Sequence, residues 1–409
     1  MANAVTAPLP LFDSIDRLAQ QQYAHTLSAS YCLEDIQKAA AFLMAYKGSL
    51  GTFNSYRREI ERLLHWSALY CKKSLKELRR EELLEYVAFC QKPPQHWIGY
   101  SKPARFIEQE GARIPNPEWR PFVVTVSKAA RRKGAELDIK QFKLASGSLR
   151  ELLAILSSFY SYLVQENYAD INPVALIRQK NQLIRSFQSS AKIRRLSELQ
   201  WQYVIETARK LADSNGELHE RTLFIMSALY SMYLRISELA ASKRWMPKMN
   251  DFARDGDGNW WFTTVGKGNK ERQIAVSETM LEALKRWRKH LGLSTLPSAA
   301  DYTPLLPRTK GQGPITSTNY IRKIVQFSFD SAITQLQQDG FEEEAELLNE
   351  ATVHWLRHTG ISDDVKIRPR EHVRDDAGHS SGAITDRYID VELRERHLSA
   401  RKKVIFEEN

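Results

Sequence analysis

From Phe53 onward, apolar residues return every three or four positions: Phe53, Tyr56, Ile60, Leu63 and Leu64, with Arg57, Arg58, Glu59, Glu61 and Arg62 between them. That rhythm predicts a helix with one buried face, and Thr52 stands where an N-cap belongs. Ser74–Leu75 and the acidic pair Glu81–Glu82 predict another helix, running to about Gln91. Ser148–Leu149–Arg150–Glu151 reads as a capping box. Behind it Leu149, Leu152, Leu153, Leu156, Phe159, Tyr160 and Leu163 form one apolar stripe. Asn172–Pro173 closes the run, so residues 30–177 predict a helical domain.

Two stretches break this pattern. Residues 1–29 hold Pro8, Pro10 and a Gln-rich patch and predict a flexible arm. Residues 92–122 carry Pro93, Pro94, Pro103, Pro115, Pro117 and Pro121, which helix interiors exclude, and read as a long loop or an insertion in the helical domain. Here Lys92, His96, Tyr100, Lys102, Arg105, Arg113 and Arg120 interleave with Trp97 and Trp119. Such a mixture suits a nucleic-acid backbone; the alternative is a surface loop pinned by its two tryptophans.

The pattern changes again after Leu196. Ser197 caps a predicted helix to about Leu211, and His219–Leu234 is apolar at helical spacing. Asp255–Gly256–Asp257–Gly258–Asn259 is turn chemistry, Trp260–Val265 is strand-like and Gln273–Val276 is the return strand. Ser277 opens an amphipathic helix that Gly292 stops. Residues 293–316 read as loop, Ser317 to about Gln338 as helix, and a further helix starts at Glu342. The expected fold is mainly α with a small antiparallel β-sheet, its second domain spanning 196–390. Residues 391–409 form a short charged tail.

Composition narrows the class. The 409 residues are 43% hydrophobic and 26% charged, ordinary for a globular chain, with a net charge of +10. Residues 178–195 hold Arg178, Lys180, Arg185, Lys192, Arg194 and Arg195 and no acid. A basic linker between two domains suits a polyanion, with a merely solvated linker as the alternative. Cys32, Cys71 and Cys90 have neither CxxC spacing nor an even count, so they predict thiols in a reducing compartment. No run reaches the ~18 apolar residues of a membrane span. A cytoplasmic protein is expected.

Three lookalikes fail. Asp255, Asp257 and Asn259 imitate a calcium loop, but Gly266 stands where its closing Glu is required. Gly266–Lys267–Gly268 lacks the frame of a P-loop. His354 and His358 have zinc-helix spacing, but Trp355 stands where a metalloprotease needs Glu. No metal is expected.

The chemistry gathers in five segments, read in order as Tyr233–Leu234–Arg235–Ile236–Ser237–Glu238–Leu239, Val265–Gly266–Lys267–Gly268–Asn269–Lys270–Glu271–Arg272, His354–Trp355–Leu356–Arg357–His358–Thr359, Ala377–Gly378–His379–Ser380–Ser381 and Asp386–Arg387–Tyr388–Ile389. In this order the set resembles the tyrosine recombinase (phage integrase) family over roughly residues 196–392. The resemblance implies a helical core-binding (SAM-like) domain and an α/β catalytic domain that clamp double-stranded DNA. It implies strand exchange through a 3′-phosphotyrosyl intermediate, without metal or other cofactor. Arg235 and Arg357 would clamp the phosphate, since a guanidinium fork matches two of its oxygens. Tyr388 would be the nucleophile, His354 its base, Lys267 the acid for the leaving 5′-oxygen and His379 a hydrogen-bond donor to a nonbridging oxygen.

The family acts as a homo-tetramer on two DNA sites, sometimes with accessory recombinases or DNA-bending proteins. Its segment after the tyrosine docks on a neighbouring protomer, a role for 391–409. The roles implied include DNA integration, excision and transposition. Lys180, Arg185, Lys192, Arg194 and Arg195 are the expected linker contacts to DNA. This chain departs from the family pattern at Asp375–Asp376–Ala377, where leucines are usual before the Gly–His pair, and at the basic, proline-bearing Lys366–Ile367–Arg368–Pro369–Arg370. The rival readings are a type IB topoisomerase and a catalytically silent DNA-binding protein.

Overall fold

The computed structural model describes residues 7–21, 30–132, 134–180, 194–266, 268–379, 381–386, 388 and 400–401. The chain divides into two compact units, 1–190 and 191–409.

The first unit is built on helices α1 (Leu33–Met44), α2 (Leu50–Trp66), α3 (Arg80–Gln91), α4 (Ser146–Gln165) and α5 (Pro173–Lys180). The stripes expected on α2 and α4 are buried, with Phe53, Ile60, Leu63, Leu152, Leu156 and Phe159 all in one core. Helix starts differ in detail. Ser49, not Thr52, precedes α2, because the Phe53 amide already donates to the Ser49 carbonyl at 2.8 Å. Helix α4 begins before the expected capping box, since the Leu149 amide donates to the Ala145 carbonyl at 3.0 Å. Ser148 therefore sits in the first turn.

Two expectations for this unit are corrected. The described part of the N-terminal arm is packed rather than flexible. Leu11, Phe12, Ile15 and Leu18 join the core, and the Leu11 amide donates to the buried Glu61 carboxylate. Apolar side chains spaced within a single helical turn, Ile15–Leu18, give that segment a face to bury. The proline-rich 92–122 stretch is not plain loop either. It contains an antiparallel hairpin, β1 (Phe106–Gln109) with β2 (Ala112–Pro115), and a two-residue parallel pairing of Ile98–Gly99 with Phe122–Val123. Trp97 and Trp119 are buried, 1% and 7% exposed. Arg105 pairs with Glu61 and Arg113 with Asp13, so two of the stretch's cations are held by the unit's own carboxylates.

The second unit places α6 (Glu198–Ser214) beside α7 (Gly216–Ser231). A three-stranded antiparallel sheet follows, β3 (Phe252–Arg254), β4 (Trp260–Val265) and β5 (Glu271–Ala275), in that order. Asp255 shapes the β3–β4 turn by accepting from the Asp257 and Asn259 amides at 3.0 and 2.8 Å. Next come α8 (Glu278–His290), α9 (Thr318–Gln338), α10 (Glu342–Leu348), α11 (Val353–Asp364) and α12 (Arg370–Ala377). Gly360 lets α11 approach α7 closely; a Cβ there would lie 2.1 Å from the Tyr230 carbonyl oxygen. No helix among the described residues is long and apolar enough to cross a membrane.

Candidate active site

Glu238 is the buried carboxylate of the site. It lies in the helical turn Ile236–Leu239, straight after Arg235. Its Oε1 accepts from Arg235 Nη1 at 3.0 Å and its Oε2 from the Arg235 amide at 2.8 Å. Arg272, arriving on β5, adds two bonds of 2.9 Å to the same two oxygens. Burial works against the Glu238 charge, but the hydrogen bonds and charge of Arg272, with the Arg235 amide, hold its pKa below the ordinary carboxylate range. Gly266 makes room for the cluster, because a Cβ there would lie 2.8 Å from Arg272 Nη1.

Helix α11 supplies three more groups. Arg357 is buried and donates to two backbone carbonyls, Tyr233 through Nη1 and Ala377 through Nη2 at 2.6 Å. Tyr233 has φ +49°, a left-handed conformation that L side chains rarely adopt. Burial first, and then the charge of Arg235, lower the Arg357 pKa to about 9, so it stays cationic at neutral pH. His354 and His358 lie one turn apart, ring centroids 6.5 Å from each other. Burial lowers both pKa values; Arg322 and Arg357 lower that of His354 further.

The segment after α12 brings the remaining groups. Gly378 ends α12 with φ +63°, and His379 follows. Arg357 Nη2 lies 3.4 Å from His379 Nε2, and His379 Nδ1 lies 2.9 Å from Thr385 Oγ1. A guanidinium only donates, so Nε2 is the acceptor and the proton sits on Nδ1, facing the threonine. Burial and the neighbouring Arg357 push the His379 pKa down to about 4. The Tyr388 ring stacks on His379 at 5.5 Å with planes 17° apart, and the His358 ring meets it edge-on at 5.5 Å.

Of the residues singled out in the sequence, Arg235, His354, Arg357, His379 and Tyr388 are thus linked through bonds, ring contacts and shared charge. Lys267, Arg185 and Lys192 lie outside the described residues, as does the Lys180 side chain. Arg194 is exposed and its carbonyl lies 3.2 Å from His358 Nδ1; Arg195 Nη1 lies 3.8 Å from Asp363 Oδ1. Arg272 and Thr385 belong to the site without having been assigned to it. For Arg272 a signal was present in its place two residues past the Gly–Lys–Gly–Asn–Lys turn, on the strand returning toward Glu238. No group of three or more His, Cys, Asp or Glu among the described residues fits a metal ion.

No protein-family model matches the chain. A protein named tyrosine recombinase XerC from Thermodesulfovibrio yellowstonii is 29% identical over 259 residues, covering 60% of this chain and 71% of that protein. Its namesake from Pediococcus pentosaceus is 26% identical over 270 residues, covering 63% and 76%. Among solved structures, the XerH site-specific recombinase bound to palindromic difH substrate superposes with TM-score 0.56 over 97% of this chain and 99% of that one, at 14% identity. The Tn1549 transposon integrase in complex with a circular intermediate DNA gives 0.51 over 90% and 98%, also at 14% identity.

Proposed function

The chain belongs to the tyrosine recombinase family, and from this premise we propose that it is a site-specific DNA recombinase that cuts and rejoins DNA strands through Tyr388. The observation that carries the reading is the assembly of three arginines, three histidines and a tyrosine in one site, where a buried carboxylate, Glu238, binds Arg235 and Arg272 while Arg357 and the rings of His358 and Tyr388 neighbour His379 or each other.

A phosphodiester repels nucleophiles with its own charge, so fixed cations must neutralise it. In the proposed mechanism Arg235 and Arg357 hold the nonbridging oxygens, and Arg272 keeps Glu238 from neutralising Arg235 alone. Tyr388 Oη attacks phosphorus while His354 takes its proton. The bond to the 5′-oxygen breaks, and Lys267 protonates the departing oxygen. DNA is left joined through its 3′-phosphate to Tyr388. A 5′-hydroxyl from a second strand then attacks that linkage and releases the tyrosine, so one phosphodiester is exchanged for another and no external energy source is needed.

The finer proposals rest on the family resemblance. They are a tetramer on two DNA sites, docking of 391–409 on a neighbour, linker contacts to DNA from Lys180, Arg185, Lys192, Arg194 and Arg195, a cytoplasmic, nucleoid-associated location, and service to a mobile element. The association of one structural neighbour with a transposon agrees with the last.

The test is covalent trapping in cells, by rapid denaturation, recovery of the protein and sequencing of attached DNA, with Tyr388→Phe as control. Tyrosine-dependent adducts at one or two recurring sites are the expected result. Adducts scattered over the genome would replace the reading with a topoisomerase, and equal recovery from both proteins would replace it with a non-covalent DNA binder.

A further inference from the structure

The two carbonyls that hold Arg357, those of Tyr233 and Ala377, lie far apart in the sequence, yet one side chain ties Tyr233 to Asp376, the residue before Ala377. Arg368 Nη1 donates to the Tyr233 hydroxyl at 2.9 Å and to Asp364 Oδ2 at 3.1 Å. Its Nη2 donates to Asp376 Oδ2 at 2.6 Å. The Tyr233 hydroxyl also donates to Asp364. Asp376 is 5% exposed, and its second oxygen accepts from the Ala275 amide at the end of β5, 3.2 Å away. Tyr233 and Asp376 are thus fixed from the side-chain end. From their backbone ends come the acceptors of the reaction's arginines. The Tyr233 carbonyl takes Arg357 Nη1, the Asp376 carbonyl takes Arg272 Nε at 2.9 Å, and the next carbonyl, Ala377, takes Arg357 Nη2.

We propose that Arg368, through Tyr233 and Asp376, is a positioning residue that sets the alignment of Arg357 and Arg272 on the scissile phosphate. This rests on the recombinase reading for its consequence, though not for its geometry. Arg368 and Asp376 stand at the two places where the sequence departs from the family pattern, the basic, proline-bearing loop and the residues before Gly378. The departures are partners: the carboxylate that replaces an apolar residue on α12 is matched by the arginine on the loop before it. A lysine at 368 offers a point charge where a planar fork bridges three acceptors, so it is a poor substitute.

The experiment compares the full-length wild type with Arg368→Met, Arg368→Lys and the double variant Arg368→Met/Asp376→Leu. The double variant removes both charges of a mostly buried pair together, which folded proteins tolerate far better than loss of one, and equal melting temperatures identify it as folded. The first readout needs no DNA. The His379 ring, facing Arg357, Arg235, Arg272, His358, Thr385 and Tyr388, is followed by NMR as pH is varied, its resonance assigned by loss in His379→Gln. Release of Arg357 from its carbonyls is expected to move the His379 midpoint up, toward the ordinary value of about 6.5. The second readout is the rate of Tyr388 adduct formation on the duplex recovered by trapping. A fall of about 100-fold is expected for a misaligned clamp, with duplex affinity unchanged and only slight recovery in Arg368→Lys. An unmoved His379 midpoint in the folded double variant overturns the proposal, and so does a wild-type adduct rate there. If the wild type forms no adduct at all, the recombinase reading fails, while the His379 readout still decides the alignment.

Discussion

Glu238 and Arg272 form a two-bond ion pair with both contacts at 2.9 Å, and the same carboxylate carries Arg235. One buried negative charge thus holds two of the site's cations at fixed spacing. Glu238→Leu leaves the Arg272 guanidinium buried without its partner, which is expected to cost about 3–5 kcal/mol of stability. Urea denaturation measures it. Glu238→Leu/Arg272→Met is expected to regain much of that loss and none of the adduct formation.

His379 makes the second unit acid-sensitive. Its folded pKa, about 4, lies below the unfolded value near 6.5. The unfolded chain therefore takes up the proton first as pH falls. The stabilising contribution is complete above pH ~6.5 and lost progressively toward pH ~4. Thermal melts over that window are expected to fall more steeply for wild type than for His379→Gln. DNA is expected to reverse the sign of the environment. A phosphate beside Arg357 favours the charged ring, and Nε2, now an acceptor, must gain a proton to donate to it. Calorimetry in two buffers of different ionisation enthalpy is expected to show net proton uptake on binding the trapped duplex.

Gly360 is expected to be the least replaceable glycine in the second unit. An added Cβ meets the Tyr230 carbonyl oxygen at 2.1 Å, and backbone cannot rotate away as a side chain can. Gly360→Ala should cost about 1–3 kcal/mol or more through overpacking. Gly51→Ala, with nothing within 4 Å in the first turn of α2, should be neutral to slightly stabilising. Chemical denaturation of both variants gives the comparison.

The buried pairing of Arg105 with Glu61 separates two sources of DNA affinity. Arg105→Met should destabilise the first unit and leave the salt dependence of DNA binding unchanged. Neutralising Lys180, Arg185 and Lys192 should flatten the log–log salt slope by ~0.9 for each phosphate that the linker no longer neutralises. A flattened slope in Arg105→Met would return the 92–122 stretch to the DNA-contacting reading.

The legible parts of this protein are those written locally. The Asp255–Asn259 turn, the Ser197 cap and the α8 and α9 boundaries follow from residues within a few positions of one another. Arg235, Arg357, His379 and Tyr388 could be singled out because they stand in a recognised order of motifs, and the structure brings them together. The packing of Leu11 and Phe12 was not, since it depends on Glu61, fifty residues away, offering an acceptor to the backbone. The β1–β2 hairpin was hidden by prolines that sit at or beyond its strand ends rather than inside the ladder. Arg368 read as one more loop cation because its three acceptors come from three different segments.

The end of α12 carries one more consequence. Every helix leaves its last carbonyls without internal partners. Here the Gly378 and His379 amides take up those of Asp375 and Arg374, and Arg272 and Arg357 take up the last two, those of Asp376 and Ala377. The stopping point of α12 is therefore part of what holds these two arginines in place. One more turn of helix would consume both carbonyls internally, and one turn fewer would carry them out of reach. Related sequences are expected to tolerate insertions in the loop ahead of α12 far more readily than a single-residue insertion or deletion between Asp376 and His379.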